Sequence, residues 1–318
     1  MFRKLSVLAV AISSVSPLAA LAQDFSGAVT LGYSHTDISD ADAKMNGLSL
    51  DGRLSYSLGN GLSFGTRFDT FRLDAANADL DITGTLMAID ASYAVSDAFS
   101  AGVFYEHAEV GASMAGTSIS SIAASNTYGI EGSYKTGALE FGGFVATSTP
   151  GGLLGASLAG ADLDIRHLGL SAAYAPAGNL TIGGSFINTN LDSGAAGVDV
   201  DIKYLGLATV YDLNDSYTLF GGLSRTWLKE SGVDASLTTI GLGLSYDLGA
   251  LAGMPLSASV ELARTTADLG GSDTDINSIR LGLTIPLGGE GAKAPLNSTA
   301  DAILNPSHSA ISQTVLNF

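Results

Sequence analysis

The stretch Leu48–Asp69, LSLDGRLSYSLGNGLSFGTRFD, decides the architecture. Read back from Tyr56 in steps of two, it sets Leu54, Gly52 and Leu50 on one face and Ser55, Arg53 and Asp51 on the other. Neighbouring side chains of an extended chain point to opposite sides, so one face meets an apolar phase and the other meets water. Gly59-Asn60-Gly61 supplies a tight turn, and alternation resumes from Leu62. A helix would need apolar residues every three or four positions, which this stretch does not provide.

The same phrase returns along the chain. Tyr56, Tyr93, Tyr134, Tyr174, Tyr211 and Tyr246 recur at intervals of 35–41 residues, each ending an alternating segment just before a short turn. A seventh segment carries Leu281, Leu283, Ile285 and Leu287. Partner strands with matching alternation fall at roughly 25–35, 62–72, 98–109, 138–148, 180–190, 216–227 and 256–265. Seven and seven make fourteen, an even number as a single-chain bacterial barrel requires. Mean hydropathy is +0.31, yet beyond residue 22 no window approaches the roughly 18 apolar residues of a spanning helix. Such a chain satisfies its backbone in lipid only as a closed barrel. The expected fold is all-β, a transmembrane antiparallel up-and-down β-barrel over residues 23–288. A soluble sandwich seldom keeps one short/long loop alternation throughout, and a propeller blade needs four strands per repeat.

Loop lengths orient the barrel. The turns after each Tyr are tight, with only Gly249 to Met254 longer, and read as periplasmic; those near 37–46, 74–82, 111–125, 149–163, 191–199, 229–236 and 267–276 are longer and read as extracellular. The six tyrosines then form a periplasmic aromatic girdle.

Arg3 and Lys4, the apolar run Leu5 to Ala20 and the small-x-small site Ala20-Leu21-Ala22 read as a signal peptide over residues 1–22, with a mature chain from Gln23. Its removal lowers the 14 basic residues to 12 against 31 acidic ones, a formal charge of −19. That surface excludes nucleic acid as a partner. The absence of cysteine excludes a disulfide framework, a thiolate metal site, a Cys nucleophile and a lipoprotein anchor.

With phrases such as LSYSLGNGLSFG (54–65), YGIEGSY (128–134) and LGLSAAY (168–174), the segment Asp24 to about Gly288 resembles the general porins of Gram-negative outer membranes, in particular the alphaproteobacterial type. The resemblance implies an outer-membrane location, passive diffusion of small hydrophilic solutes and, commonly, a homotrimer. Three features depart from the pattern. The family usually has sixteen strands, which stands as the alternative to fourteen. Its third loop usually carries acidic residues into the lumen, whereas Gly111–Ser125 bears no charge. It usually ends at the last strand, whereas here residues 289–318 follow, ending in Leu316 and Phe318. Because a fifteenth strand would break the even count, this tail is expected as a periplasmic extension or a lumen plug.

With Leu48, Leu50 and Leu54 toward lipid, Asp51 and Arg53 face the lumen, as do Arg67 and Asp69 on the next strand. A hairpin symmetrical about Asn60 sets Arg53 opposite Arg67 and Asp51 opposite Asp69, favouring the diagonal contacts Asp51–Arg67 and Arg53–Asp69. Asp90, Glu106, Glu131 and Glu140 also fall inward, making this part of the wall net negative and the expected channel weakly cation-selective. Gly169, Ser171, Gly206, Ala208, Gly241, Gly243, Gly282 and Thr284 leave room on the even-numbered strands from the eighth onward, for water or for a packed loop or tail. Phe71, Phe104, Phe144 and Phe220, with Ile187, point inward as well. They fit packing against an inserted segment, or a path for amphipathic or aromatic solutes.

No catalytic group is expected. His35, His107, His167 and His308 show no spacing that sets one beside a Ser nucleophile and an orienting acid. No cofactor is expected either. Loop clusters Asp37/Asp40/Asp42, Asp74/Asp79/Asp81 and Asp268/Asp273/Asp275 carry oxygens that suit Ca²⁺ or Mg²⁺ and a bridge to lipopolysaccharide phosphates, but none has the spacing of a calcium loop and solvated charge is the plainer reading. Expected partners are outer-membrane lipid, lipopolysaccharide, and small solutes or ions. The remaining alternative is a structural or surface-interaction barrel without an open pore.

Overall fold

The computed structural model describes residues 25–39, 43–75, 80–114, 117–157, 163–193, 198–230, 233–288, 292 and 294–315. The signal segment 1–22, the loop residues Asp40, Asp42 and Asp79, and the terminal Leu316 and Phe318 lie outside the described residues.

Fourteen antiparallel strands close on themselves. They are β1 (Phe25–Ile38), β2 (Ala43–Ser57), β3 (Leu62–Ala75), β4 (Leu80–Ala94), β5 (Phe99–Met114), β6 (Thr117–Thr136) and β7 (Leu139–Gly151). After a one-turn helix α1 (Gly152–Ser157) come β8 (Asp164–Ala177), β9 (Leu180–Ser193), β10 (Val198–Asp212), β11 (Tyr217–Glu230) and β12 (Val233–Asp247). Helix α2 (Gly249–Ala252) leads to β13 (Ser257–Leu269) and β14 (Asp273–Gly288). β14 pairs with β1 from Ser26↔Gly288 to Ile38↔Ile276. The barrel is therefore complete at fourteen strands, and the sixteen-strand alternative falls.

Alternation sorts the wall as expected from lipid on one side. Leu48, Ile89, Leu207, Leu242 and Leu262 are about 60% exposed on the outer face, where hydrocarbon takes the place of a core. Ile187, Tyr204 and Phe220 on the inner face are fully buried. The short turns use the chemistry their residues offer. Gly59 (φ 69°) and Gly61 (φ 89°) occupy the left-handed region, and Asn214 Oδ1 accepts from the backbone N–H groups of Ser216 and Tyr217.

The opposite loops are shorter than expected, because the strands run past the proposed boundaries. Over Gly111–Ser125 the hairpin of β5 and β6 simply continues, with a register shift between Val110 and Ala112. Uncharged residues sustain the ladder on both sides of that shift, Ala112 opposite Ile119 and Val110 opposite Ala123.

Beyond β14 the chain turns inward. Helix α3 (Thr299–Leu304) is capped by Ser298, whose hydroxyl accepts from the Asp301 N–H at 3.1 Å. Helix α4 (Ala310–Val315) follows. Residues 294–303 are buried except for Asn297, which is half-buried.

Candidate functional site

The tail touches inward-facing residues on strands all round the barrel, so it lies in the lumen. Near its start, Thr30 on β1 accepts from the Leu296 N–H at 3.1 Å. Glu261 on β13 accepts from the Thr299 N–H at 3.0 Å. Arg280 on β14 donates to Glu261 and to the Thr299 hydroxyl at 3.1 and 3.2 Å. Asp301 receives both terminal nitrogens of Arg53 at 3.0 Å, a bidentate pair. Further along, Thr189 on β9 accepts from the Ala310 N–H at 3.0 Å, and Thr226 on β11 meets Thr314 at 2.9 Å.

The expected register of the first hairpin holds, Arg53 opposite Arg67 and Asp51 opposite Asp69. The diagonal ion pairs are replaced. Arg53 turns to Asp301, Arg67 pairs with Asp69 two residues along its own strand and donates to the Asn305 carbonyl, and Asp51 accepts from Ser49 at 2.8 Å. The reason is a carboxylate the hairpin does not contain: Asp301, only 3% exposed, offers Arg53 two oxygens at once.

Glu106, Glu131 and Asp90 gather around one cation. His308 Nδ1 lies 3.0 Å from Glu106 and Nε2 lies 3.6 Å from Glu131, while the His308 N–H also donates to Glu106 at 3.1 Å. Asp90 adds its field from β4. Burial of the imidazole works to lower its pKa, but the two glutamates outweigh burial and push it up from 6.5 to about 9. Glu140 is not part of this group; it is exposed at the periplasmic rim opposite Lys135, since it opens β7 where the wall meets water.

All four inward phenylalanines sit directly across from a glycine. Phe71 faces Gly84, Phe104 faces Gly129, Phe144 faces Gly169 and Phe220 faces Gly243. A Cβ on any of these glycines would fall 1.9–2.8 Å from the ring. Each ring therefore lies flat along the wall, covering backbone that a glycine leaves bare. Phe104 also stacks on His308 at 3.5 Å, and Phe144 meets the same imidazole edge-on at 5.0 Å. Ile187 and Phe220 join Tyr204, Ala300, Ile303 and Ala310 in the apolar cluster at the centre.

One histidine meets a serine, though with a threonine and not an acid at its other nitrogen. His167 does sit beside a serine: Nε2 is 2.6 Å from Ser148 Oγ, and Nδ1 is 2.8 Å from Thr189 Oγ1. Strand pairing brings the three together although they lie far apart in sequence. Thr127, 2.6 Å from Ser148, extends the row into a buried ladder of hydroxyls, and the second ring nitrogen meets a threonine where an acid would orient a catalytic base. His35 and His107 each contact an asparagine, Asn46 and Asn126.

The six tyrosines Tyr56, Tyr93, Tyr134, Tyr174, Tyr211 and Tyr246 have the outward parity of the lipid-facing leucines and lie at the short-turn end. Phe64, Phe99, Phe141 and Tyr217 complete this ring, with Tyr217 and Tyr246 at 4.9 Å between centroids. Each was legible as the outward residue that follows a tight turn. Glu261 and Arg280, directly opposite on β13 and β14, were also missed. Two in-register charges on inward positions were the available signal. In the acidic loop clusters, Asp37, Asp81 and Asp275 are each taken by a nearby cation, Lys44, Arg72 and Arg264.

Among the spaces that border the tail, one lies at each end of the barrel. At the periplasmic mouth a vestibule of about 720 Å³ is lined by Asp212, Asp215, Asp247, Ala294 and Pro295. At the other end an alcove of about 200 Å³ lies between Phe71, Leu86, Val110, Ile165, Leu191 and Val315.

The profile of the Gram-negative porins matches residues 70–231. No curated protein matches the chain in sequence. Among solved structures, an anion-selective porin from Comamonas acidovorans aligns over 82% of this chain and 98% of its own, at 12% identity and a TM-score of 0.52. A Pseudomonas aeruginosa FadL homologue aligns over 82% and 90%, at 12% identity and 0.53. A TodX monoaromatic hydrocarbon channel variant aligns over 84% and 91%, at 13% identity and 0.50. At such identities these likenesses speak for the barrel alone; the match over residues 70–231, half of the chain, carries the assignment, and the chain belongs to the Gram-negative porin family of the outer membrane.

Proposed function

We propose that the barrel is a passive aqueous channel for small hydrophilic solutes with weak cation selectivity. The carrying observation is the surplus of carboxylates turned toward the lumen: Asp51, Asp69, Asp90, Glu106, Glu131 and Glu261 on the wall and Asp212, Asp215 and Asp247 at the periplasmic mouth, against Arg53, Arg67 and Arg280. An acidic passage concentrates cations and repels anions, an effect that salt screens. A barrel of similar fold belongs to an anion-selective porin, so the fold by itself does not fix the sign, which we assign to these side chains. No covalent chemistry is assigned to His167, and the channel works without a cofactor.

The test is the reversal potential of the full chain in a planar bilayer under a salt gradient. Cation preference that weakens as salt rises is expected, and anion preference would overturn the reading. The alcove under Phe71 favours a second reading, passage of amphipathic or aromatic solutes, because an apolar cavity of somewhat smaller size suffices for benzene. Block of the ion current by such a solute, absent for a sugar of equal size, would support it.

A further inference from the structure

We infer that the lumen is a built binding site for the chain's own C-terminal segment, Ala294–Val315, and that this segment is a displaceable gate. The inference rests on the channel reading above. Docked, the segment blocks the barrel; withdrawn, it leaves a water-filled path.

The first support is shape. A Cβ on Gly206 would lie 2.7 Å from Ile303 Cγ1, one on Gly222 2.7 Å from Ile303 Cδ1, and one on Gly241 2.6 Å from the Thr299 hydroxyl. Gly32 and Gly183 are likewise closed off by Asn297 and Leu304. Glycine weakens a strand unless something approaches closely. Here four strands and β1 give up side chains along the track where the segment lies.

The second support is chemistry. Wall groups that a plain pore would leave to water are turned to the segment: Arg53 to Asp301, Glu106 and Glu131 to His308, Glu261 to the Thr299 N–H, Thr30 and Thr189 to further backbone N–H groups. The wall thus supplies both the counter-charges and the acceptors of one particular peptide.

The third support is how the segment is attached. Among the described residues, no backbone–backbone hydrogen bond joins it to a strand; its backbone bonds run within itself or to side chains. The β1–β14 ladder is complete without it, and a chain without cysteine holds no covalent lock. Most of the seam is polar, and water can take over polar contacts when they separate. Apolar packing of the segment gathers in the cluster around Ile303 and in the rings of Phe104 and Phe144 against His308, and the hydrogen-bonded contacts lie between them.

The cysteine-free chain allows a direct test on the full-length protein. Gly206→Cys with Ile303→Cys places two Cβ atoms within disulfide reach, since the Cβ at 206 would lie 2.7 Å from Ile303 Cγ1. Planar-bilayer conductance is measured after oxidation and again after reduction. The expected result is silence when oxidised, with reduction raising open probability about tenfold or more. An open channel of equal conductance in both states would overturn the gate and leave the channel standing. As a second measurement, the double variant Asp301→Asn/His308→Gln in the full chain is expected to open more often than the parent, and an unchanged open probability would also overturn the gate. Silence of that variant, of the parent and of the reduced cysteine pair alike would overturn the channel reading itself.

Discussion

The two sides of the inner wall hold the same segment by different physics. On β2–β6 charge dominates the contact: Arg53 and Arg67 reach Asp301 and the Asn305 carbonyl, and Glu106 and Glu131 enclose His308, which also stacks on Phe104. On β9–β12 it is made by shape, with Ile303 and Thr299 seated over Gly206, Gly222 and Gly241. Charge contacts titrate and are screened, whereas fitted apolar surfaces respond to neither. A gate built from both is positioned by the glycine side and made responsive by the charged side.

The largest expected effect comes from pH. Docked, the His308 imidazole has a pKa of about 9, and free in water it returns to about 6.5. Docking therefore takes up a proton between these values. Its contribution is fully present below pH 6.5 and is lost as pH rises through about 9, a change on the order of 3 kcal/mol. The groups facing the imidazole are Glu106 on β5, Glu131 on β6, Asp90 on β4 and His167 on β8, with Arg67 on β3 acting on Glu106. Undocking is read as thiol labelling of Ala302→Cys, a buried position, relative to the open turn position Gly178→Cys. That ratio should rise from pH 7 to pH 10, and His308→Gln should flatten the rise. A slope that survives in His308→Gln would place the sensor elsewhere.

Next comes the glycine side. Gly222→Leu pushes a side chain into space held by Ile303 and Thr299, and overpacking of this kind costs about 1–3 kcal/mol. Labelling at position 302 should accelerate about equally at every pH and salt concentration. A salt-dependent response would mean that shape and charge are not separable here.

Asp301→Asn should weaken docking by somewhat less, about 1–2 kcal/mol, since Arg53 is partly exposed and recovers some hydration. Its effect on labelling should shrink as salt is raised. Equal effects in low and high salt would break the assignment of this side to charge.

The contrast also explains what could be read in the chain beforehand. The outer face follows a local rule, one medium acting on every second residue, so strand count, closure and the tyrosine ring were legible once the alternation ending at Tyr56 was followed through its repeats along the chain. The inward direction of Arg53 followed from the same parity. Its partner did not, because Asp301 lies 248 residues away and no strand register connects them. Gly206 and Gly241 announced space but not its occupant, since a missing side chain is equally compatible with water and with a peptide. The Ser148–His167–Thr189 row escaped for the same reason: each member is unremarkable on its strand, and only pairing of β7, β8 and β9 aligns them.

The smallest effect belongs outside both sides and serves as their control. Tyr217 and Tyr246 meet at the periplasmic rim on the lipid face, centroids 4.9 Å apart. Tyr246→Ala removes an aromatic pair worth about 0.5–1.5 kcal/mol beyond its burial. The barrel should unfold from lipid vesicles at lower urea, while labelling at position 302 in the folded protein stays at the parent rate. If that labelling accelerated too, tail docking would be coupled to the stability of the whole wall, and the division into a charged and a fitted side would describe one cooperative unit instead of two independent grips.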